Sequence, residues 1–273
     1  GQSVVLSDGG VAFSDSSVQS TAAFTGTAPL AKTGQTSCFD ASGHLTACGV
    51  AIGAGQEGHL QRGVKWPIPR FTQNGDGTVT DNLTGLIWLE DANCAGTTFI
   101  FDNALAFANT LYDGSTGHAG GDCGLSDGSV AGDWRVPNIF EARSLMDHGY
   151  SLPGVPNTTG TGQWTEGDPF SDIQAAYWTS TFNPQNKQFA HYASYNSPQL
   201  SSNWKTAFYA AWPVRGPING GGNPEATLVL ADGGIEFPDG SVQSTSASVQ
   251  VVIPKTGQQS CYNASGAPIT CAG

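Results

Sequence analysis

Four of the six cysteines form two matching pairs, one near each end of the 273-residue chain. Cys38 and Cys48 flank the turn sequence DASGH, and Cys261 and Cys271 flank NASGA at the same spacing. Because a tight hairpin brings two such positions within reach of a disulfide, we predict one disulfide in each pair. We therefore expect a disulfide-bonded hairpin near each end of the chain.

The other two cysteines are Cys94 and Cys123, which we predict to pair with each other around a helix. Metal binding is the alternative use of these cysteines, but the sequence has no C-x-x-C and no His at ligand spacing beside a cysteine. Three disulfides indicate an oxidising compartment, so we expect an extracellular or cell-surface protein.

The repeat at the two ends extends beyond the cysteines. VLSDGGVAFSDSSVQST at residues 5–21 returns as VLADGGIEFPDGSVQST at residues 229–245. Each copy is typical of two short strands, a linker and the disulfide hairpin, and an isolated hairpin is only marginally stable in water. We therefore predict four segments, which are a terminal β module at 1–49, a central domain at 50–216, a linker at 217–227 and a second terminal β module at 228–273.

The central domain has a different pattern of strands and helices. Residues 70–91 read as a three-stranded meander with turns at NGDG and NLTG. Apolar residues at helical spacing follow Asp102 or Asn103, either of which is a candidate N-cap. Asn138 and Glu141 have the spacing of a capping box before a second helix. The predicted fold class is α+β, with two helices in the central domain and all-β terminal modules.

Charge and hydropathy exclude several classes of partner. The net charge is −12 at pH 7, which disfavours binding to nucleic acid or to anionic lipid. No stretch approaches the ~20 apolar residues that a membrane-spanning helix needs. The first residues lack a basic region followed by an apolar run, so we expect that any export signal has been removed.

Candidate catalytic and metal sites are few, and we predict neither an enzyme nor a bound cofactor. Ser126 lies in a G-x-S-x-G sequence, but the strand before and the helix after that a nucleophile elbow needs are missing. The sequence NGDGTVTD is similar to the start of a calcium loop, yet the twelfth position holds Gly85 where a carboxylate is required. Asp76 and Asp81 are the calcium candidates that remain.

Aromatic residues interleaved with Ser, Asn and Gln are candidates for sugar contact, because sugar rings stack on aromatic faces. Tyr192, Tyr195 and Trp204 have the most polar surroundings. The alternative interpretation is that these side chains belong to the core or to a subunit interface. In the motif GDWRVPN we expect Trp134 to be buried and Arg135 to bind a carboxylate or a carbonyl that fixes the following loop.

The segments NGDGTVTDNLTGLIWLED, GDWRVPNIFEARSLMD, YWTSTF and WPVRG occur in this order. This series resembles the bacterial Lcl C-terminal domain family, and the likeness covers about residues 65–216. The resemblance implies a C-type-lectin-like α+β fold and an exported protein that serves in attachment. The family's namesake is a collagen-like adhesin that binds sulfated glycosaminoglycans. The present chain has no collagen-like tract, and its acidic character argues against a polyanionic ligand.

The repeated ends allow two interpretations. The chain is either one repeat with an overlap, cut from a longer tandem array, or a subunit whose ends meet on neighbouring copies. Both make the ends connectors, so we expect a head-to-tail homopolymer that forms a fibre or surface array. The alternatives are a glycan-binding adhesin with a host or cell-surface ligand, and a phage-type receptor-binding fibre. The candidate joint residues are Val4, Val5, Leu6, Val11, Phe13, Leu228, Val229, Leu230, Ile235 and Phe237.

Overall fold

A computed structural model of the chain describes residues 30–50, 53–118, 123–216 and 260–269 in full. It also describes the backbone of five short strands within residues 11–19 and 229–243.

The helices and strands are short, and the fold is mixed α+β with mostly β structure. The described elements in chain order are β1 (Val11–Ala12), β2 (Val18–Gln19), β3 (Cys38–Phe39), β4 (Leu45–Thr46), α1 (Glu57–Leu60), β5 (Phe71–Gln73), β6 (Thr78–Asp81), β7 (Ile87–Leu89), α2 (Phe101–Asn109), α3 (Ile139–Ser144), β8 (Ala176–Phe182), β9 (Phe189–Ser194), β10 (Gln199–Trp204), β11 (Val214–Arg215), β12 (Val229–Ala231), β13 (Gly234–Glu236), β14 (Val242–Gln243), β15 (Cys261–Tyr262) and β16 (Pro268–Ile269).

The chain divides into two compact units. The first consists of Gly1–Pro29 and Ile218–Val251, and the second of Leu30–Pro217 and Val252–Gly273. Each predicted terminal module is therefore divided, because its strands belong to the first unit and its cysteine hairpin to the second. The structure differs here from the predicted boundaries, which placed each hairpin outside the central domain.

The described strands of the first unit repeat the same pairing. Strand β1 pairs with β2 with Val11 opposite Gln19, and β13 pairs with β14 with Ile235 opposite Gln243. These partners are related by the offset of the sequence repeat, so the two copies share one hairpin register. Strand β12 adds to β13 with Leu230 opposite Ile235. Of the other candidate joint residues, Val229 begins β12, whereas Val4, Val5, Leu6, Phe13, Leu228 and Phe237 lie outside the described residues.

Two antiparallel sheets form the central part of the second unit. One has the strand order β11-β7-β6-β5 and contains the predicted meander, and the other has the order β10-β9-β8. Strand β11 comes from the end of the domain and pairs with β7, with Val214 opposite Trp88. This pairing brings the two ends of the central domain together in one sheet.

Helix α3 begins as the sequence predicts, whereas helix α2 does not. The Asn138 side chain accepts from the Phe140 and Glu141 N–H groups, and the Glu141 carboxylate accepts from the Asn138 N–H, which completes the capping box. Helix α2 has Ile100 as N-cap with no side-chain cap. The prediction of Asp102 or Asn103 as N-cap was therefore wrong. The Phe101 N–H instead donates to a carbonyl from a distant segment, that of Lys205.

The core is dominated by tryptophan. Trp88, Trp134, Trp178 and Trp212 are all buried, which confirms the prediction for Trp134. Three of these indoles donate hydrogen bonds, from Trp134 to Ser129 Oγ, from Trp178 to the Phe99 carbonyl and from Trp212 to the Leu89 carbonyl. These bonds offset the cost of burying the indole N–H groups. The central domain thus has an aromatic core in which three buried indoles are hydrogen-bonded.

Two predicted disulfides are confirmed, with Cα atoms 5.2 Å apart in Cys38–Cys48 and 5.1 Å apart in Cys94–Cys123. Cys261 is also disulfide-bonded, and its predicted partner Cys271 lies outside the described residues.

Candidate functional site

The two cysteine hairpins have the same backbone. In β3–β4, Cys38 pairs with Thr46 and Phe39 with Leu45, and the corresponding residues of β15–β16 pair in the same register. In the first turn the Asp40 carboxylate accepts from the Ser42 and His44 N–H groups. In the second turn Asn263 Oδ1 accepts from the N–H groups of Ser265 and Ala267. Asp and Asn are interchangeable in this turn, because either oxygen can accept both bonds.

The second hairpin is docked on the central domain. Its turn, Tyr262–Gly266, contacts a surface that we call the hairpin platform. The platform consists of Asp102 on α2, Phe182 at the end of β8, Lys187 and Gln188 before β9, and Lys205 after β10. These five residues come from four separate segments, so the platform exists only in the folded domain.

Lys205 is the centre of the platform. Its side chain is only 1% exposed, and Nζ donates to the Tyr262 carbonyl at 2.5 Å and to the Asn263 carbonyl at 3.2 Å. The ammonium group also lies 4.9 Å from the centre of the Phe101 ring. Burial lowers the pKa of Lys205, and the nearby carboxylate of Asp102 partly offsets this effect. Because Lys205 is buried, its ammonium group needs hydrogen-bond acceptors, and two carbonyls of the turn supply them. This requirement fixes the position of the turn on the platform.

The other platform residues bind the turn along its length. Asp102 Oδ2 accepts from the Ala264 N–H at 3.2 Å, and Gln188 Nε2 donates to the Ser265 carbonyl at 3.3 Å. The rings of Phe182 and Tyr262 meet edge to face, with centroids 5.0 Å apart. The platform therefore combines backbone recognition with one aromatic contact.

The last turn residue, Gly266, is closely packed. A Cβ atom built there would lie 3.2 Å from Gln188 Cγ and 3.4 Å from Lys187 Cβ, and the backbone has a φ of +80°. Both the positive φ and the close approach favour glycine at this position. The corresponding residue of the first hairpin, Gly43, has a φ of +81° but no atom within 4 Å of such a Cβ.

The first hairpin is held to the domain through strand β3, and its turn is exposed to solvent. Gln56 accepts from the Phe39 N–H at 3.0 Å and donates to the Phe39 carbonyl at 2.7 Å. The preceding residues run along the central domain, where the His148 N–H donates to the Thr33 carbonyl. Phe39 is nevertheless 48% exposed, and residues 41–45 are all exposed. The two hairpins thus have the same shape but different surroundings.

The predicted sugar-contact residues separate into exposed and buried ones. Tyr195 is buried and its hydroxyl donates to the Ala142 carbonyl at 2.8 Å, so the prediction that it contacts a glycan was wrong. Tyr192 is partly buried and stacks on Tyr209, with ring centroids 4.3 Å apart. Trp204 is 49% exposed and packs against a second aromatic ring of the β9–β10 hairpin. Trp204 is therefore the most accessible of the three predicted residues.

The calcium candidates do not form a site. Asp81 is fully buried, and its two oxygens accept from Arg70 Nε at 2.8 Å and Arg70 Nη2 at 3.0 Å. The same oxygens accept from the Leu83 N–H and the Thr84 hydroxyl. This carboxylate is therefore fully engaged within the protein, and Asp76 Oδ1 accepts from the N–H and the hydroxyl of Thr78. In the described parts of the chain, no group of three or more His, Cys, Asp or Glu could hold a metal ion.

The GDWRVPN motif has the structural role that the sequence predicts. Arg135 donates to both oxygens of Glu141, at 2.6 and 2.8 Å, and to the carbonyl of Gly216. The same glutamate closes the capping box, so one ion pair links the loop, the start of α3 and the end of the domain. Ser126 lies in an irregular segment, where its N–H donates to the Asp76 carbonyl.

The family model of the Lcl C-terminal domain matches residues 77–215. The chain belongs to this family. The matched part contains α2, α3 and all strands from β8 to β10, and it therefore includes the whole hairpin platform. No curated protein and no solved structure matches the chain. None of the helices that the structure describes is long and apolar enough to cross a membrane.

The sequence analysis did not identify the platform. Asp102, Gln188 and Lys205 are polar residues without a motif, and they are distant from one another in sequence. The one signal for Lys205 was its place in SSNWKTAFYAAW, where a lone lysine interrupts an aromatic segment. A lysine in such surroundings must find acceptors when the segment is buried.

Proposed function

We propose that this chain is a secreted structural subunit of an extracellular fibre or surface array of a bacterium. Its subunits join head to tail through the repeated terminal modules. The Lcl C-terminal domain, with a C-type-lectin-like fold, is displayed between these joints. In this proposal the protein is not an enzyme, needs no cofactor and has other copies of itself as its main partners.

The observation that supports this proposal most is the different state of the two hairpins. One turn is docked on the platform, whereas the other has the same hydrogen-bond pattern and is exposed. The platform and the exposed first turn are different surfaces of the chain, so a contact between them in two copies is heterologous. Such a contact does not close on itself in a dimer but continues from subunit to subunit.

The strands of the first unit offer a second joint. Strands β12 and β14 are the outer strands of their sheet as far as the structure describes it. We propose that residues 4–13 of one subunit add to this sheet, near residues 228–237 of the next, because an open strand edge can pair with another chain. The disulfides of the chain are compatible with an oxidising location outside the cell.

Sedimentation velocity of the non-reduced full chain over a wide range of concentration tests the proposal. We expect the mass to rise with concentration in steps of one 28.2 kDa subunit. A variant without residues 1–29 removes the strand joint but leaves the second unit intact, so it should associate more weakly. A full chain that remains monomeric at its highest soluble concentration, with no effect of this deletion, contradicts the proposal.

A second candidate function is glycan binding by an adhesin, and the exposed Trp204 favours it. The Trp204 ring lies 4.5 Å from the Phe189 ring, and partly exposed Ser201, Ser202 and Asn203 precede it on β10. An aromatic face beside hydroxyl and amide groups suits a sugar ring. A glycan array compares the native chain with Trp204→Ala and with Tyr112→Ala, which removes another exposed aromatic residue. Binding that only Trp204→Ala abolishes supports this function, and no binding by the native chain contradicts it.

A further inference from the structure

We propose that the exposed turn of the first hairpin, Phe39–Gly43, binds to the hairpin platform of a second copy of the chain. On that second copy, it takes the place of the copy's own turn, Tyr262–Gly266. This inference rests on the proposed function and names the surfaces that meet. The partner is defined by the chain itself, because the docked turn shows which backbone the platform binds.

The first turn presents the same groups as the docked turn. By the repeat offset, the carbonyls of Phe39 and Asp40 correspond to those that accept from Lys205. The Ala41 N–H corresponds to the group that donates to Asp102, and within the described residues it has no hydrogen-bond partner. Each backbone bond of the docked turn therefore has a matching group in the exposed turn.

The aromatic contact is also preserved by the repeat. Phe39 stands where Tyr262 packs edge to face on Phe182. Phe39 is 48% exposed, so binding to a second copy would bury an apolar surface that a single chain leaves in water. Burial of such a ring stabilises association, at about 25 cal/mol per Å² of apolar area.

Gln56 lies on the same edge of Phe39 that Lys205 of the second copy would contact, so the two side chains must share the Phe39 carbonyl. Gln56 already donates to the Phe39 carbonyl at 2.7 Å, but a carbonyl oxygen has two lone pairs. One lone pair remains for Lys205 of the second copy. The other acceptor, the Asp40 carbonyl, accepts from the Gly43 N–H of its own turn and from no other backbone group among the described residues.

The charges of the two surfaces are complementary. Where the docked turn has the neutral Asn263, the first turn has Asp40. The N–H of His44 and other turn groups keep the pKa of Asp40 below its ordinary value, so its carboxylate is ionised at neutral pH. The platform contributes the cations Lys187 and Lys205 and the anion Asp102, so its side chains carry a net positive charge. Opposite charges across a contact raise the rate of encounter and fix the register more than they raise the affinity.

Binding between copies requires an exchange of hairpins. The chain's own turn occupies the platform, and its covalent connection gives it a higher effective concentration than the turn of a separate molecule. The first hairpin of another copy therefore competes best when the chain's own turn is weakened. Loss of the Tyr262 ring provides such a weakened state, because this ring packs on Phe182.

Photo-crosslinking of full-length chains tests the inference. Phe39 is replaced by p-benzoylphenylalanine in an isotopically light chain, which is mixed with an isotopically heavy chain that carries Tyr262→Ala. After irradiation, mass spectrometry identifies crosslinks between light and heavy peptides. We expect the residue-39 peptide to link to the heavy peptide that contains Phe182 and Lys187. The native heavy chain should give a lower yield.

Two controls make the result specific. Lys205→Met in the heavy Tyr262→Ala chain should lower the yield about tenfold, which corresponds to about 1.4 kcal/mol. Lys65→Met removes a charge from an exposed lysine outside the platform and should leave the yield unchanged. The same photoreactive residue at Thr46 should not link to the platform, because its counterpart Ile269 remains 50% exposed in the docked hairpin.

The outcomes separate this inference from the proposed function. Crosslinks between light and heavy chains at the platform, lowered by Lys205→Met, support both. Assembly with crosslinks only at other surfaces, or crosslinks that Lys205→Met leaves unchanged, overturns the inference while the fibre proposal stands. A monomer without crosslinks between light and heavy chains overturns both.

Discussion

Substitution of Lys205 by methionine should release the second hairpin from the central domain. The two hydrogen bonds from Nζ come from a charged donor, and each such bond contributes about 1.5–3 kcal/mol. The bond to Asn263 is long at 3.2 Å, and the lowered pKa of Lys205 shows that burial of the ammonium has a cost. We therefore expect a net loss of about 2–3 kcal/mol in docking free energy.

Hydrogen exchange of the Ala264 amide measures this loss. This N–H is bonded to Asp102 only while the hairpin is docked. A loss of about 2–3 kcal/mol lowers its protection roughly 30- to 150-fold. Lys187→Met is the matched control, because Lys187 contributes a cation–π contact 5.7 Å from the Tyr262 ring, worth about 0.5–1 kcal/mol at an exposed site. The reasoning is refuted if Lys205→Met lowers protection no more than Lys187→Met does.

Three further predictions concern the stability of the central domain. Asp81→Asn leaves the buried Arg70 without its counter-ion, and urea unfolding should show a loss of about 3–5 kcal/mol; a loss below about 1 kcal/mol contradicts this view of the ion pair. Asn138→Ala removes the cap of α3 and should cost about 1 kcal/mol in the same assay, whereas an unchanged midpoint argues against the capping box. Burial and Arg143 lower the pKa of His148 below its ordinary 6.5, so its contribution to stability is present above pH 6.5 and is lost as the pH falls through the lowered pKa. The variant His148→Asn should therefore flatten the pH dependence of the melting temperature below pH 6.5. An unchanged slope contradicts the lowered pKa of His148.

Local structure in this protein could be predicted from short stretches of sequence. The turn at Asp40 and the capping box at Asn138 are made by side chains that bond to backbone groups within four residues. The cysteine spacing similarly fixed the hairpin of Cys38 and Cys48. In each case the partners are near neighbours in the chain, so the pattern of residue types is sufficient.

Contacts between distant segments could not be predicted in this way. Tyr195 has polar neighbours in sequence, yet its ring is buried against the core. Asp81 was a candidate calcium ligand, but Arg70, the residue before the neighbouring strand β5, neutralises it. The start of α2 was misplaced because its first N–H is satisfied by the Lys205 carbonyl, far along the chain. Tertiary packing decides all three positions, and a single sequence does not show it.

The division of the terminal modules has the same cause. The repeat suggested that strands and hairpin form one module, whereas the hairpins pack with the central domain. Gln56 and Lys205 supply these contacts from opposite ends of the domain's sequence. The repeat thus marks two hairpins of one shape that meet two different surfaces, which is the basis of the proposed head-to-tail contact.

Negative-stain electron microscopy of the full chain, without reducing agent, tests the central claim most directly. Head-to-tail assembly predicts filaments whose axial repeat corresponds to one subunit. Separate particles of one subunit each, at concentrations where the protein remains soluble, would contradict it.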